Sequence, residues 1–153
     1  MRQPFQCAAC GFHFYFNAAI AVAAILLGPD DRVLFIRRAK DPAKGKLAVP
    51  GGFVDIGETA EQALRREIRE EVNLVVGPLE YLCSAPNQYL FAKINYPVLD
   101  FFYITRAESL DGIAALDGVE SFEWHAPKAV SEAEIAFPSV LFAVRSYAQR
   151  PAS

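Results

Sequence analysis

Gly52-Phe53-Val54-Asp55-Ile56-Gly57-Glu58-Thr59-Ala60-Glu61-Gln62-Ala63-Leu64-Arg65-Arg66-Glu67-Ile68-Arg69-Glu70-Glu71-Val72-Asn73-Leu74 opens on a glycine, crosses a short loop and runs into a helix. From Thr59 onward the residues are strong helix formers, and Leu64, Ile68 and Val72 recur at every fourth position as an apolar stripe. Thr59 is placed to cap this helix, with Gln62 three residues later completing a capping box. Asn73 stands where the stripe ends, and asparagine tolerates the left-handed conformation that commonly terminates a helix. Gly77-Pro78 prevents the helix from resuming.

Glu67, Glu70 and Glu71 stand three and four residues apart on this helix, so their carboxylates share a face. Their repulsion costs a few tenths of a kcal/mol per exposed pair, and a bound cation would give the cluster a reason to exist. Hard carboxylate oxygens select Mg²⁺ or Mn²⁺. The alternative is a solvated acidic face.

Read outward, the pattern is Gly52, five residues, Glu58, seven residues, then Arg66-Glu67-Ile68-Arg69-Glu70-Glu71-Val72-Asn73-Leu74. It resembles the Nudix box in every position but one, Asn73, where the family has glycine. The resemblance implies an α/β fold, the Nudix-type α/β/α sandwich with a mixed β-sheet, and a metal-dependent pyrophosphohydrolase. It further implies Glu67, Glu70 and Glu71 as Mg²⁺ ligands, Glu70 foremost, with a backbone carbonyl from Gly51 or Gly52 and a brace between Glu58 and Arg66. Members often recruit an acid from a late loop, which makes Glu120 the tentative base with Glu123 beside it; both also read as exposed strand residues. Arg37 and Arg38, at a strand end, are candidate phosphate contacts or simply solvated charge.

Around this segment, Ile20 to Leu27 and Arg32 to Arg38 are expected to form a hairpin about Gly28-Pro29-Asp30-Asp31. A polar loop over residues 41–46 leads to a short strand at Leu47 to Val49 and a break at Pro50-Gly51-Gly52. Leu79 to Ala92 reads as a strand interrupted at Ala85-Pro86-Asn87, followed by strands at Ile94 to Thr105 and Val119 to Trp124. Ser139 to Gln149 reads as a closing helix that begins near Pro138.

Cys7-Ala8-Ala9-Cys10-Gly11-Phe12, with Phe14-Tyr15-Phe16-Asn17, resembles the second half of the zinc ribbon that precedes the Nudix domain in NADH pyrophosphatases. The expected division is a partial ribbon over residues 1–16 and a hydrolase domain over 17–150. Structural Zn²⁺ takes four ligands; Cys7 and Cys10 supply two, and His13, Cys83 or another subunit would have to complete the set. Those pyrophosphatases also carry a Ser-Gln-Pro-Trp-type motif downstream, where this chain reads Ser84-Ala85-Pro86-Asn87-Gln88-Tyr89 without the tryptophan. Asn87 is a candidate to read a base edge, and Tyr89, Phe91 or Tyr96 to stack on it; aromatics in strands also serve as core.

The remaining properties bound the partners. With 153 residues, 53% of them hydrophobic, the chain has the length of one domain with a self-sufficient core. Three cysteines are too few for a secreted disulfide scaffold, and a reducing cytoplasm is the expected setting. The longest apolar run, Ala18 to Leu27, is half the roughly 20 residues of a membrane helix, and no basic leader segment is expected. A net charge of −3 with mixed signs excludes a basic stripe for long nucleic acid and leaves a small nucleotide as the expected partner. A homodimer is a candidate assembly, as family members often are. The leading substrate class is a nucleoside diphosphate linked to another group, such as ADP-ribose or a dinucleotide. The alternatives are an 8-oxo-dGTP-like triphosphate, a nucleotide-binding module without turnover, and a small interaction protein.

Overall fold

A computed structural model of the chain describes residues 4–151. Among these residues the strands are β1 (Phe5–Gln6), β2 (His13–Phe14), β3 (Ala19–Leu27), β4 (Val33–Arg38), β5 (Leu47–Ala48), β6 (Gly51–Phe53), β7 (Glu80–Phe91), β8 (Ile94–Arg106) and β9 (Val119–His125). The α-helices are α1 (Ala60–Val72) and α2 (Pro138–Ala148).

The near-continuous apolar run of β3 suits a strand covered on both faces. It lies at the centre of a seven-stranded mixed sheet of order β5-β4-β3-β8-β7, parallel to β8 and antiparallel to β4 and β6, while β9 pairs with β4. On one face, Leu64, Ile68 and Val72 of α1 pack on Val22, Ala24, Leu26, Leu34 and Ile36. On the other, Val140, Ala143 and Val144 of α2 pack on Ile25, Val33, Phe35 and Phe102. Alternate residues of β3 and β4 feed these two cores, which is the α/β/α sandwich; each fully buried aliphatic side chain contributes about 1.5–3 kcal/mol relative to exposure. Strands β1 and β2 form a separate two-stranded hairpin.

Thr59 caps α1 through the expected box: its hydroxyl accepts from Gln62 N–H, and the Gln62 side chain accepts from Thr59 N–H. Asn73 ends the helix at φ 57°. The β3/β4 hairpin differs from its expectation, because only Leu27 and Val33 are in register and the strands then part to take other neighbours. Nor does Ala85-Pro86-Asn87 interrupt β7. Pro86 lies opposite Leu99 within a continuous strand, and the irregularity falls between Tyr81 and Cys83. Because β7 ends the sheet order, the missing N–H of Pro86 is tolerated at an edge.

Candidate active site

Arg66 organises the loop that enters α1. Its Nε and Nη2 each donate to Glu58 at 2.8 Å, a bidentate pair, and Nη2 also reaches the Phe53 carbonyl at 3.1 Å. Its Nη1 donates to Glu67 at 2.7 Å and to Glu70 at 3.2 Å. The guanidinium, with the Asp55 N–H behind it, holds the Glu58 carboxyl down at about 2, and the two carboxylates raise Arg66 in turn. One side chain thus ties Glu58 and the Phe53 carbonyl of the loop to α1 and also contacts two of the three helix glutamates.

The glycines before the loop are required by close approach. Gly51 adopts φ 154°, and a Cβ there would collide with the Val22 carbonyl across β3. A Cβ on Gly52 would collide instead with the Glu67 carboxylate, so the bare backbone of β6 forms the cradle in which Glu67 lies. The Gly51 N–H donates to Glu71 at 2.9 Å. Burial pushes the Glu71 carboxyl up to about 8 against that bond, with the charge of Glu67 adding to the rise; burial also raises Glu67, opposed by Arg66.

A cavity of about 400 Å³ opens beside these groups. Glu67, Glu70, Glu71, Gly51 and Gly52 line it together with Arg38, and so do Asn87 and Tyr89. Other sequence candidates lie elsewhere. Arg37 donates to Glu123 and to the Gly45 carbonyl and is not in the lining. Glu120 is exposed and also outside the lining, whereas Asp117, three residues earlier, reaches the cavity. Asp117 is brought there because the loop before β9 folds onto the end of α1, the Asp117 N–H donating to the Glu70 carbonyl at 3.3 Å.

Asp100, Phe137 and Val140 were absent from the sequence candidates and line the cavity. For Asp100 a signal existed: an acid inside the apolar run Val98-Leu99-Asp100-Phe101-Phe102. Tyr89 stands 6.0 Å from Phe137 and 5.3 Å from Phe53 between ring centroids, and Arg38 lies 5.1 Å over the Phe137 ring.

The chemistry of the donor set suits a hard divalent cation: three carboxylates on one cavity wall, one of them desolvated with a single N–H for compensation. Their placement is not a formed coordination shell. Among the described residues, no three His, Cys, Asp or Glu side chains stand close enough to hold a metal ion, and Arg66 occupies Glu67 and Glu70. The same finding means that neither His13 nor Cys83 completes a zinc set with Cys7 and Cys10. The Cys7 thiol is lowered by hydrogen bonds from the backbone of Cys10 and Ala9, at the turn joining β1 to β2. No helix of the described residues is long and apolar enough to cross a membrane.

A family model described as NUDIX domain matches residues 18–142. The chain belongs to the Nudix family. It is 45% identical over 64 residues to an ADP-ribose pyrophosphatase of Methanocaldococcus jannaschii, covering 42% of this chain and 37% of that protein. It is 38% identical over 79 residues to the NAD-capped RNA hydrolase NudC of Pseudomonas aeruginosa, covering 52% of this chain and 28% of that one. The match therefore spans well under half the length of these curated relatives. The crystal structure of a NUDIX hydrolase from Nitrosomonas europaea superposes with a TM-score of 0.74 at 23% identity, covering 95% of this chain and 77% of the other, and shows the shared fold.

Proposed function

We propose that this Nudix chain hydrolyses the diphosphate linkage of a nucleoside diphosphate joined to another group, ADP-ribose or a dinucleotide, with Mg²⁺ or Mn²⁺. The observation that carries the reading is the meeting of Glu67, Glu70 and Glu71 with the Gly51-Gly52 backbone on one cavity that also holds Arg38 and an aromatic wall. Glu67, Glu70 and Glu71 would hold the ion with the Gly52 carbonyl, and the bound ion would neutralise phosphate oxygens and acidify a water. Arg66 fixes the rotamers of Glu67 and Glu70 from the side. The Gly51 N–H fixes Glu71. Arg38, tied to the Pro42 carbonyl at 2.8 Å, presents positive charge to the substrate's anionic group. Asn87 and Tyr89 receive the nucleoside.

In this reading residues 17–150 form the hydrolytic unit, residues 1–16 are a separate ribbon-like segment, and the setting is cytoplasmic. Zn²⁺ at Cys7 and Cys10 would need ligands from beyond the described residues.

The test is phosphate release, after a coupled phosphatase, from ADP-ribose, NADH, diadenosine polyphosphates, nucleotide sugars and 8-oxo-dGTP, with Mg²⁺, Mn²⁺ or chelator. Chelator-sensitive release from ADP-ribose or a dinucleotide is expected. Glu70→Gln is expected to lower kcat at least 100-fold with the fold retained. Full activity in that folded variant would overturn the assignment.

A further inference from the structure

Asp100 lies in the middle of β8 and is only 8% exposed. A buried carboxylate ordinarily takes a cation or a full set of donors, because its desolvation is costly. Asp100 has neither. Asn87 Nδ2 donates to its Oδ2 at 2.9 Å and Ser139 Oγ donates to the same oxygen at 2.5 Å. Among the described residues no donor reaches Oδ1, yet none of their buried side-chain nitrogen or oxygen atoms lacks a partner. Oδ1 is therefore accessible, and since Asp100 lines the cavity, it opens there. Tying α2 to the sheet would need one oxygen and no charge; the second oxygen remains to be explained.

Its surroundings specify the kind of ligand. Asn87 Oδ1 accepts from the Gln88 N–H at 2.8 Å while Nδ2 donates to Asp100, which determines the amide's orientation and leaves Asn87 a further N–H. A donor thus stands beside an acceptor. Tyr89 and Phe137, inclined at 32° with ring centroids 6.0 Å apart, line the same cavity and present aromatic surface to a flat ligand. Adenine carries an amino donor next to an acceptor ring nitrogen, the complement of this pair. Burial raises the Asp100 carboxyl above its ordinary value, while the hydrogen bonds from Ser139, in the first turn of α2, and from Asn87 oppose that rise and support the accepting carboxylate.

We infer that Asp100 is a specificity-determining residue that accepts a hydrogen bond from the amino group of a 6-aminopurine, with Asn87 donating to the neighbouring ring nitrogen and Tyr89 and Phe137 flanking the base. The inference rests on the nucleotide reading above and deepens it. In Asp100→Asn the atom bonded to Asn87 and Ser139 must remain an oxygen acceptor, so the amide nitrogen takes the cavity-facing place and offers a donor where the base needs an acceptor.

The experiment is calorimetric titration with AMP and with purine riboside 5′-monophosphate, which lacks only the amino group, in Mg²⁺ buffer. AMP is expected to bind roughly 10- to 100-fold more tightly to the unaltered protein, as for a hydrogen bond to a charged group. In Asp100→Asn that ratio is expected to fall to one or below, and in Ser139→Ala, which keeps the carboxylate, to persist. Equal binding of the two nucleotides, absence of AMP binding, or an unchanged ratio in Asp100→Asn would overturn the inference. Should Asp100→Asn fail to fold, the ratio in the unaltered protein decides. None of these readouts requires turnover, so silence in the hydrolysis panel would count against the proposed reaction alone.

Discussion

Glu71→Gln is expected to stabilise the metal-free protein at neutral to alkaline pH while removing its turnover. Glu71 sits in the last turn of α1 with one oxygen on the Gly51 N–H, and burial lifts its carboxyl from an ordinary 4.5 to about 8. Because the folded value is the higher one, the contribution to stability is full below about 4.5, declines as pH rises, and is lost once pH passes 8. At about 1.4 kcal/mol per pH decade the rise bounds the loss at about 5 kcal/mol, and relaxation with water entry makes about 2–3 kcal/mol the expected size. Urea unfolding in chelator at several pH values between 4 and 9 reads this directly. The unaltered protein should lose stability across that interval more steeply than Glu71→Gln, and Mg²⁺ should restore the unaltered protein at pH 8 but not the variant, by binding the folded state. Parallel pH curves would refute the reasoning, since Glu67 and the rest of the site are common to both proteins.

The two glycines of β6 should separate stability from activity. Gly51→Ala drives a Cβ into backbone and is expected to lose about 1–3 kcal/mol in denaturant unfolding, whereas Gly52→Ala displaces the Glu67 carboxylate and should lower kcat 10-fold or more with a nearly unchanged unfolding midpoint. At the end of α1, Asn73 combines φ 57° with a bond from Nδ2 to the Gly112 carbonyl at 2.8 Å. Asn73→Ala forfeits both and is expected to cost about 2–3 kcal/mol, while Asn73→Gly keeps the backbone freedom and should stay within about 1 kcal/mol; a fully stable alanine variant would contradict this.

The helix that carries the charge was legible because its signals are local. Thr59, Gln62, the fourfold stripe and Asn73 each act within a turn or two, and the structure uses all of them as read. The role of Asn73 was only half legible: its tolerance of the left-handed conformation is intrinsic, but its bond to Gly112 depends on a loop 39 residues away. Strand boundaries failed where pairing overrode propensity. Pro86 looks like a turn until β7 is known to be an edge, and Gly51-Gly52 looks like a break until β3 is known to lie against Gly51 and the Glu67 carboxylate against Gly52. That Asp117 and not Glu120 lines the cavity was not legible in the sequence, since it depends on the fold of the loop before β9 onto α1.

Two sets of residues on opposite faces of the sheet share one cavity. Glu67, Glu70 and Glu71 belong to α1, packed on one face, whereas Asp100 lies opposite Ala85, which is buried in the core under α2 on the other. The cavity is lined by Ala21, Val22 and Ala23, consecutive residues of β3 whose side chains alternate between the faces, and by the side-chain-free Gly51 and Gly52 of the neighbouring strand. Ala21, Ala23, Gly51 and Gly52 carry little or no side chain, so little bulk separates the two sets at this seam. In the proposed reading, phosphate chemistry and base recognition would be tuned separately: a change to the α1 carboxylates would alter the charge around the diphosphate, and a change at Asp100 or Asn87 would alter the partner of the base. Only bulk introduced at the alanine and glycine seam would disturb both together.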